Sequence, residues 1–341
     1  MSVASRALVA SSLALITTAS VVAAADPSPS VTVIPPWQSL EPTAVFELPN
    51  ARGVIPLATD GTTVWAVGAN QLLRIDSATN AAEYLEAPVA ADDTFLLYAD
   101  DGLWATRWAG GKLYRLDPAT GEVELDVDLP TAVNPQLVGD QLWVGREQQR
   151  DIVQVDRVTG AVGDRVLGSS YAMGSPDSLW FVKAGDPPTL TRVDPVSGEV
   201  VATIELPEAP RCRGAQLGGQ TPEALYAGCA FGDDATSRPF SRIDPATNSV
   251  ATTTVLPATH GASAVALDGQ VWLAGDFRTA DGTFFGGLVR VDPKTGAVER
   301  WVSLGSDVGP STAVAAGGAI WVGADSGHRV LRYDVASLVG P

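Results

Sequence analysis

Few side chains in this sequence are suited to general acid–base chemistry near neutral pH. Its 341 residues include two histidines, His260 and His328, and histidine is the side chain whose ordinary pKa lies in that range. His328 follows Ser326-Gly327 in a short loop pattern, so we expect it to be exposed and inert. A Ser-His-Asp triad is not indicated, because no G-x-S-x-G segment precedes a helical pattern.

Other charged residues point to binding. Guanidinium groups form charge-assisted pairs with carboxylates and phosphates, and the candidates for such contacts are Arg52, Arg211, Arg213 and Arg278. Oxygen ligands suit a hard cation such as Ca²⁺, and the candidates for a calcium site are Asp92, Asp93, Asn134 and Asp307. Solvated surface acids are the alternative for this second group, and both interpretations stay open.

Composition limits the class of protein. The chain has 39 acidic and 22 basic residues, a formal charge of −17, and 45% hydrophobic residues. The apolar content is enough for a core. The acidic balance argues against nucleic acid or an anionic membrane as the main partner, because both need a basic surface.

The first 43 residues differ from the rest. Residues 1–25 have Arg6, a small apolar run and Ala23-Ala24-Ala25, the pattern of a signal peptide cleaved after Ala25. Residues 26–43 carry five prolines, which predicts an extended linker. The sequence therefore predicts a secreted protein, extracellular or periplasmic, and no later stretch has the pattern of a membrane span.

One repeat runs through the remaining residues 44–341. An apolar-aromatic-apolar triplet is followed by Arg-x-Asp, with Gln154 in place of the arginine in one copy, then often Pro, then Ser/Thr-Gly or Thr-Asn. The triplets centre on Trp65, Trp104, Trp143, Trp180, Tyr226, Trp272 and Trp321, and the aspartates are Asp76, Asp117, Asp156, Asp194, Asp244, Asp292 and Asp334. Seven copies of about 45 residues match the period of a four-stranded propeller blade.

The repeat predicts an all-β fold: a seven-bladed β-propeller with four antiparallel strands per blade. In the fourth copy the strands are expected at 171–175, 178–183, 189–194 and 199–206, with the Asp-Pro turn between the last two. The chain after Asp334 is too short for a fourth strand in the last blade. Residues 44–49 have the outer-strand pattern and are expected to close the ring. Because the Arg-x-Asp and Trp residues recur, we interpret them as structural.

The loops between second and third strands are longest in copies five and six. The distance from the aromatic residue to its aspartate is 18 residues from Tyr226 to Asp244 and 20 from Trp272 to Asp292, against 11 from Trp65 to Asp76. Such loops can form a binding rim or simply pack on themselves. The predicted ligand-binding set is Arg52, Tyr171, Arg211, Arg213, Phe231, Phe277, Arg278, Phe284 and Phe285.

Cys212 and Cys229 lie on the first two strands of the fifth copy. If residues 218–223 form the turn, Leu217 faces Ala224 and the two cysteines are directly opposed. That geometry, with export, predicts a disulfide. Two free thiols are the alternative.

The repeat resembles a known group. Segments such as Leu142-Trp143-Val144-Gly145 and Arg290-Val291-Asp292-Pro293 are similar to bacterial seven-bladed propellers of the YVTN type, which include the virginiamycin B lyases. The resemblance implies a propeller, and for an enzyme it implies a Glu/His cluster working with Mg²⁺. His260 precedes the sixth inner strand and Glu208 is the carboxylate near it, but no second histidine precedes an inner strand.

The function expected from the sequence is therefore noncatalytic binding. A monomer would recognise a small molecule or an extracellular protein on the loops of blades five and six. The alternative is a metal-assisted lyase or hydrolase with His260 and Glu208 as catalytic residues. No cofactor is certain from the sequence, and Ca²⁺ or Mg²⁺ is the candidate.

Overall fold

The seven copies of the repeat fold as seven antiparallel blades of four strands, in which each strand pairs with its neighbour in sequence apart from the closing strand. A short additional strand pairs in parallel with the outer strand of blade 6. A computed structural model describes residues 37–49, 51, 53–90, 94–183, 187–207, 214–221, 224–231, 238–257, 263–278 and 284–339. The predicted all-β propeller is confirmed. The fourth copy has strands at 173–174, 179–183, 189–193 and 200–205, close to their expected places.

Two strands precede the first blade, β1 (Gln38–Ser39) and β2 (Ala44–Glu47). The strands of blades 1 to 4 follow, from inner to outer: β3 (Leu57–Thr59), β4 (Thr63–Val67), β5 (Gln71–Asp76) and β6 (Ala82–Glu86); β7 (Leu96–Ala99), β8 (Gly102–Arg107), β9 (Lys112–Leu116) and β10 (Val123–Asp128); β11 (Ala132–Val138), β12 (Gln141–Arg146), β13 (Asp151–Val155) and β14 (Val162–Leu167); β15 (Met173–Gly174), β16 (Leu179–Lys183), β17 (Thr189–Val193) and β18 (Val200–Glu205).

The strands of blades 5 to 7 are, in the same order: β19 (Gly214–Thr221), β20 (Ala224–Phe231), β21 (Arg238–Asp244) and β22 (Ser249–Leu256); β23 (Ser263–Leu267), β24 (Gln270–Arg278), β25 (Phe284–Val291) and β26 (Val298–Gly305); β27 (Pro310–Ala316), β28 (Ala319–Ala324) and β29 (Arg329–Asp334). A short helix, α1 (Val335–Val339), follows β29. The described residues contain no helix whose length and hydropathy would let it span a bilayer.

The ring closes through β2, as the sequence predicts. This strand pairs antiparallel with β29, with Phe46 opposite Val330 and Glu47 opposite Arg329. The Thr43 amide donates to the Arg332 carbonyl at 2.8 Å, which extends the pairing by one residue. Blade 7 thus receives its outer strand from the start of the propeller, and its third strand is not left as an open edge.

The connections alternate between two faces of the propeller. In an antiparallel blade the first-to-second and third-to-fourth turns lie at one end, which we call the turn face. The second-to-third hairpins and the links between blades lie at the other end, which we call the loop face. Inner strands surround the central channel.

On the turn face the repeat connects neighbouring blades. A third-strand Arg lies over a second-strand Trp of the same blade and donates a hydrogen bond to the last turn of the next blade. The Arg332 guanidinium lies 5.3 Å from the Trp321 ring centroid, and its Nη1 donates to the Ser77 carbonyl of blade 1 at 2.7 Å. Arg192 repeats this over Trp180, at 5.1 Å from the ring centroid. All six repeat tryptophans are buried, as expected for packing.

The repeat aspartates of blades 1 to 6 shape the last turns of these blades. In Asp117, Oδ1 accepts the amides of Ala119 and Thr120 at 2.7 and 2.9 Å. The same two-amide pattern recurs at Asp76, Asp156, Asp194, Asp244 and Asp292. These are Asx-turns, so the structural interpretation of these aspartates is confirmed and they leave the set of site candidates.

The described end of the Pro-rich segment packs on blade 6. The two residues of β1 pair parallel with Val302 and Ser303 of β26. Trp37 makes edge contacts with Phe285 and Trp301, with ring centroids 4.1 and 4.6 Å apart. Residues 37–40, expected to be part of the linker, thus belong to the packed structure of blade 6.

The register of blade 5 differs from the one predicted. Leu217 pairs with Ala227 rather than Ala224, and Cys229 pairs with Ala215. The direct opposition of the two cysteines is therefore wrong, because the strands continue to Thr221 and Ala224 through residues expected to form a turn. Gly219 lies within this strand. An added Cβ at this position would come 2.7 Å from the Ala264 carbonyl oxygen of blade 6, so the close approach of the two blades requires glycine there. Cys212 lies outside the described residues, so the disulfide stays a prediction.

Candidate functional site

Many of the predicted site residues lie outside the described ranges. The residues outside the described ranges are Arg52, Asp92, Asp93, Glu208, Arg211, Cys212, Arg213 and His260. Phe231, Arg278 and Phe284 lie on described strands, at the ends next to the long hairpin tips, but their side chains are not among the described parts. The lyase or hydrolase alternative with His260 and Glu208 stays a prediction.

Two residues of the predicted rim are buried. Phe277 is 0% exposed and Phe285 is 7% exposed, and they face each other across β24 and β25. Their rings lie 5.6 and 4.1 Å from Trp37. The sequence left binding and packing open for these rings. The structure gives them packing contacts, at the base of the longest hairpin.

The predicted calcium ligands that are described have other partners. The Asn134 amide donates from Nδ2 to the Ala172 carbonyl at 2.5 Å, and its Oδ1 accepts from Gln136 at 3.2 Å. Asp307 accepts from Arg329 at 3.1 Å and lies on blade 7, whereas Asn134 lies on blade 3. Within the described ranges, no three His, Cys, Asp or Glu residues are grouped to hold a metal ion.

Among the predicted ligand-binding side chains that the structure describes, Tyr171 is accessible, with 44% of its surface exposed. It lies just before the inner strand of blade 4. Its hydroxyl donates to Glu147 Oε1 at 3.1 Å, and its ring contacts Phe95 with centroids 6.1 Å apart and planes at 63°. Phe95 precedes the inner strand of blade 2, so the two rings meet across the loop end of blade 3. We call Phe95, Glu147 and Tyr171 the Tyr171 cluster.

The backbone around Tyr171 is held on both sides. The Tyr171 amide donates to Ser169 Oγ at 3.1 Å, and this hydroxyl donates back to the Tyr171 carbonyl at 3.1 Å. The segment also lies so close to β12 that a Cβ on Gly145 would come 1.8 Å from the Ser170 carbonyl oxygen. A glycine at position 145 is therefore required for this approach.

Glu147 is held by contacts to the link between blades 2 and 3. The Glu147 amide donates to the Thr131 carbonyl at 3.0 Å, and the Thr131 hydroxyl donates to Gln149 Oε1 at 2.8 Å. Thr131 has a φ of 57°, a left-handed conformation that is unfavourable for a β-branched residue. Local strain of this kind is often found at functional sites.

An ion pair closes the base of the Glu147 hairpin. Arg146 donates from Nε and Nη2 to the two carboxylate oxygens of Asp151, at 2.9 and 2.7 Å. The Asp151 side chain is 1% exposed. This hydrogen bonding raises the pKa of Arg146 above its usual range. The two residues face each other across β12 and β13, so they fix the hairpin that carries Glu147.

The electrostatics of the cluster favour binding over proton transfer. Burial, together with the negative charge and hydrogen bond of Glu147, raises the pKa of Tyr171 to about 12. The phenol therefore keeps its proton throughout the physiological range. The cluster offers an aromatic surface and a carboxylate on a rigid scaffold, which are the groups that a recognition site uses.

Phe95, Thr131 and Glu147 were not predicted from the sequence. The prediction relied on long loops and on charged residues that precede the inner strands, whereas these three residues belong to short connections. One signal was present: Asn134-Pro135 interrupts a strand pattern, which indicates a bulge. The structure has a register shift between Val133 and Gln136 at that point.

Comparisons with known proteins concern the fold. No family model matches the chain, and no curated protein matches it. A chain titled Kuenenia stuttgartiensis hydrazine synthase is 17% identical, with a TM-score of 0.58 over 70% of this chain and 75% of that one. A chain from a crystal structure of the mitotic checkpoint complex is 11% identical, with a TM-score of 0.65 over 94% of this chain and 99% of that one.

At these identities the likeness concerns the fold and not the activity. The match over nearly the whole length of the second chain agrees with the sheet topology described above. The chain is a seven-bladed β-propeller closed by strand β2.

Proposed function

We propose that this protein is a secreted, noncatalytic binding propeller whose loop face recognises a small molecule or an extracellular protein. The observation that supports this is the Tyr171 cluster, in which an aromatic ring with 44% of its surface exposed is held beside a carboxylate at the loop end of blade 3. Functional sites of rigid scaffolds concentrate on such loops, since these can vary without disturbing the core.

The hairpins of blades 5 and 6 add to the proposed binding face. The strands β24 and β25 have nine and eight residues, where β4 and β5 of blade 1 have five and six. The extra length extends the loop face at blade 6, and Phe277 and Phe285 stabilise its base. Arg278 and Phe284 at the end of this hairpin are the residues proposed to reach a ligand.

Secretion is supported by the sequence pattern of residues 1–25. Mass spectrometry of the N-terminus after expression of the full chain tests it. A mature protein beginning at Asp26 in the extracellular or periplasmic fraction is expected. Retention of Met1 in the cytoplasmic fraction would contradict it.

Thermal unfolding with a panel of cationic, anionic, aromatic and saccharide compounds tests binding. A compound that binds the native state raises the midpoint by mass action, by about 2.7 kcal/mol of stability at a hundredfold excess over its dissociation constant. The variants Tyr171→Leu and Arg278→Ala are expected to reduce that response. Tyr84→Leu is the matched control, because Tyr84 is 45% exposed on the outer strand of blade 1.

Two results would argue against the proposal. A response that survives both loop-face substitutions would move the site elsewhere on the molecule. A response to Mg²⁺ that is lost in His260→Ala would support the lyase or hydrolase alternative, which resembles the virginiamycin B lyases, and turnover assays would follow.

A further inference from the structure

We propose that the Tyr171 cluster binds the positively charged group of an organic cation, such as an alkylammonium compound, against the rings of Tyr171 and Phe95 and the carboxylate of Glu147. This inference rests on the proposed binding function of the loop face and adds the chemical class of the ligand.

The aromatic part of the cluster has suitable geometry. The rings of Phe95 and Tyr171 are 6.1 Å apart and make an edge contact at 63°, so they do not stack face to face. The faces of aromatic rings attract cations within about 6 Å of the ring centroid. Tyr171 keeps 44% of its surface accessible, so a ligand can reach its ring without any rearrangement of the core.

The carboxylate part, Glu147, has no cationic side-chain partner among the described residues. Glu147 accepts one hydrogen bond, from the Tyr171 hydroxyl at 3.1 Å, and a phenol leaves the charge in place. Across the part of the chain that the structure describes, no Lys, Arg or His side chain forms an ion pair with Glu147. A partly buried carboxylate beside two aromatic rings is complementary to a weakly hydrated organic cation.

The cluster is also held in place before any ligand binds. The Glu147 hairpin is tied to Thr131, whose φ is 57°, and Asn134 next to Tyr171 has a φ of 48°. A left-handed conformation is rare for a β-branched residue such as Thr131. A preorganised site loses less conformational entropy on binding.

The net charge of the whole chain also favours a cationic ligand. A formal charge of −17 attracts cations to the surface and repels anions. Arg150 lies three residues beyond Glu147 and is exposed, so an anion is the competing ligand class that the experiment has to test.

The experiment is calorimetric titration of the full protein with three probes of similar size: benzyltrimethylammonium, benzyl alcohol and benzoate. We expect binding of benzyltrimethylammonium at low salt, at least about tenfold tighter than benzyl alcohol, with weakening as salt is added. Binding of benzoate in preference to the cation would overturn the inference.

Substitutions place the binding at the cluster. We expect Tyr171→Leu to weaken benzyltrimethylammonium by about tenfold. Tyr171→Phe keeps the ring and is expected to retain most of the affinity. Glu147→Gln keeps the size of Glu147, removes its charge and is expected to weaken binding several-fold. Tyr84→Leu and Glu83→Gln, at exposed positions on blade 1, are the controls and should change nothing.

The outcomes separate this inference from the proposed function. If benzyltrimethylammonium binds equally well to native-like folded Tyr171→Leu and Glu147→Gln, the cation site is wrong. If a neutral or anionic compound from the thermal panel binds and Tyr171→Leu abolishes it, the ligand class is wrong but the binding function is supported. If no probe binds the protein, the cation inference fails, and the panel alone decides the proposed function.

Discussion

The turn face and the loop face of this propeller are built from the same strands but in different ways. On the turn face, contacts repeat from blade to blade: arginines over tryptophans reach the next turn, and aspartates accept two backbone amides. On the loop face of blade 3, the contacts occur once: a strained Thr131, the Arg146–Asp151 pair and the Tyr171 cluster.

The difference shows where to look for function in a repeat protein. An interaction that recurs in nearly every blade is explained by ring assembly, because each blade has to pack on its neighbour. An exposed aromatic residue that occurs in one blade, with backbone strain beside it, has no such explanation.

Substitution of one tryptophan on each face should lower the stability by different amounts. Trp104 on the turn face is 0% exposed, and Trp108 on the loop face is 40% exposed. We expect Trp104→Ala to lower the free energy of unfolding by about 3–5 kcal/mol, and Trp108→Ala by less than about 1 kcal/mol. Urea denaturation measures both, and similar losses would show that the faces are not distinct in this way.

The loop face of blade 3 should depend on its own ion pair. We expect Asp151→Asn to lower the free energy of unfolding by about 3 kcal/mol, because it leaves Arg146 without its buried partner. Hydrogen exchange of amides 147–150 should become faster. Asp126→Asn is the control, since Asp126 pairs with Lys112 but its side chain is 48% exposed. Unchanged exchange in Asp151→Asn would contradict the positioning role.

The N-terminal arm should stabilise blade 6 by aromatic packing. We expect Trp37→Ala to lower the free energy of unfolding by about 2 kcal/mol, since it removes contacts with Phe277, Phe285 and Trp301. Ser39, two residues along the same arm, is exposed, so Ser39→Ala should have little effect. Equal urea midpoints for both variants and the parent protein would mean that the arm adds no stability.

The loop face should be sensitive to alkali. The folded protein raises the pKa of Tyr171 to about 12, above the ordinary value of about 10. Its neutral form is therefore favoured by folding, and that contribution is complete below pH 10 and lost as the pH rises towards 12. Tyr171→Phe should lose less stability than the parent between pH 9 and 11, measured by thermal unfolding. The same decline in both would show that Tyr171 is not responsible.

The turn face should instead be sensitive to acid. The backbone amides of Ala119 and Thr120 hold the pKa of Asp117 below its usual range. Its stabilising contribution is thus present above pH 4 and lost as the pH falls through the lowered value. Asp117→Asn keeps an acceptor for the turn without a titrating group. Its melting temperature should fall slightly less than that of the parent between pH 5 and 2, and an identical fall would exclude Asp117.

The fold could be predicted from the sequence because its structural unit, the blade, is repeated. The spacing of Trp104, Arg115 and Asp117 recurs, so each copy supports the interpretation of the others. Closure by residues 44–49 followed from counting strands. The register of β19 and β20 was predicted wrongly because Gly219 was interpreted as part of a turn. It lies in β19, where the backbone of blade 6 leaves no room for a side chain.

The candidate site was less predictable for a physical reason. Tyr171 was named from its place before an inner strand, but its partners Phe95 and Glu147 come from blades 2 and 3. A repeat pattern describes what blades have in common, whereas a site made of single residues from three blades depends on loop geometry. Only the folded chain brings those residues together.

Ring closure by β2 also sets an order of events during synthesis. Thr43 bonds to Arg332, 289 residues later in the chain, so β2 leaves the ribosome long before its partner strand exists. Blades can form one by one behind it, but the ring cannot be sealed until β29 has emerged. Until then the apolar residues Val45 and Phe46 have no native partner and are available to chaperones or to other nascent chains. If synthesis stops before β29, β2 has no strand to pair with and the ring stays open.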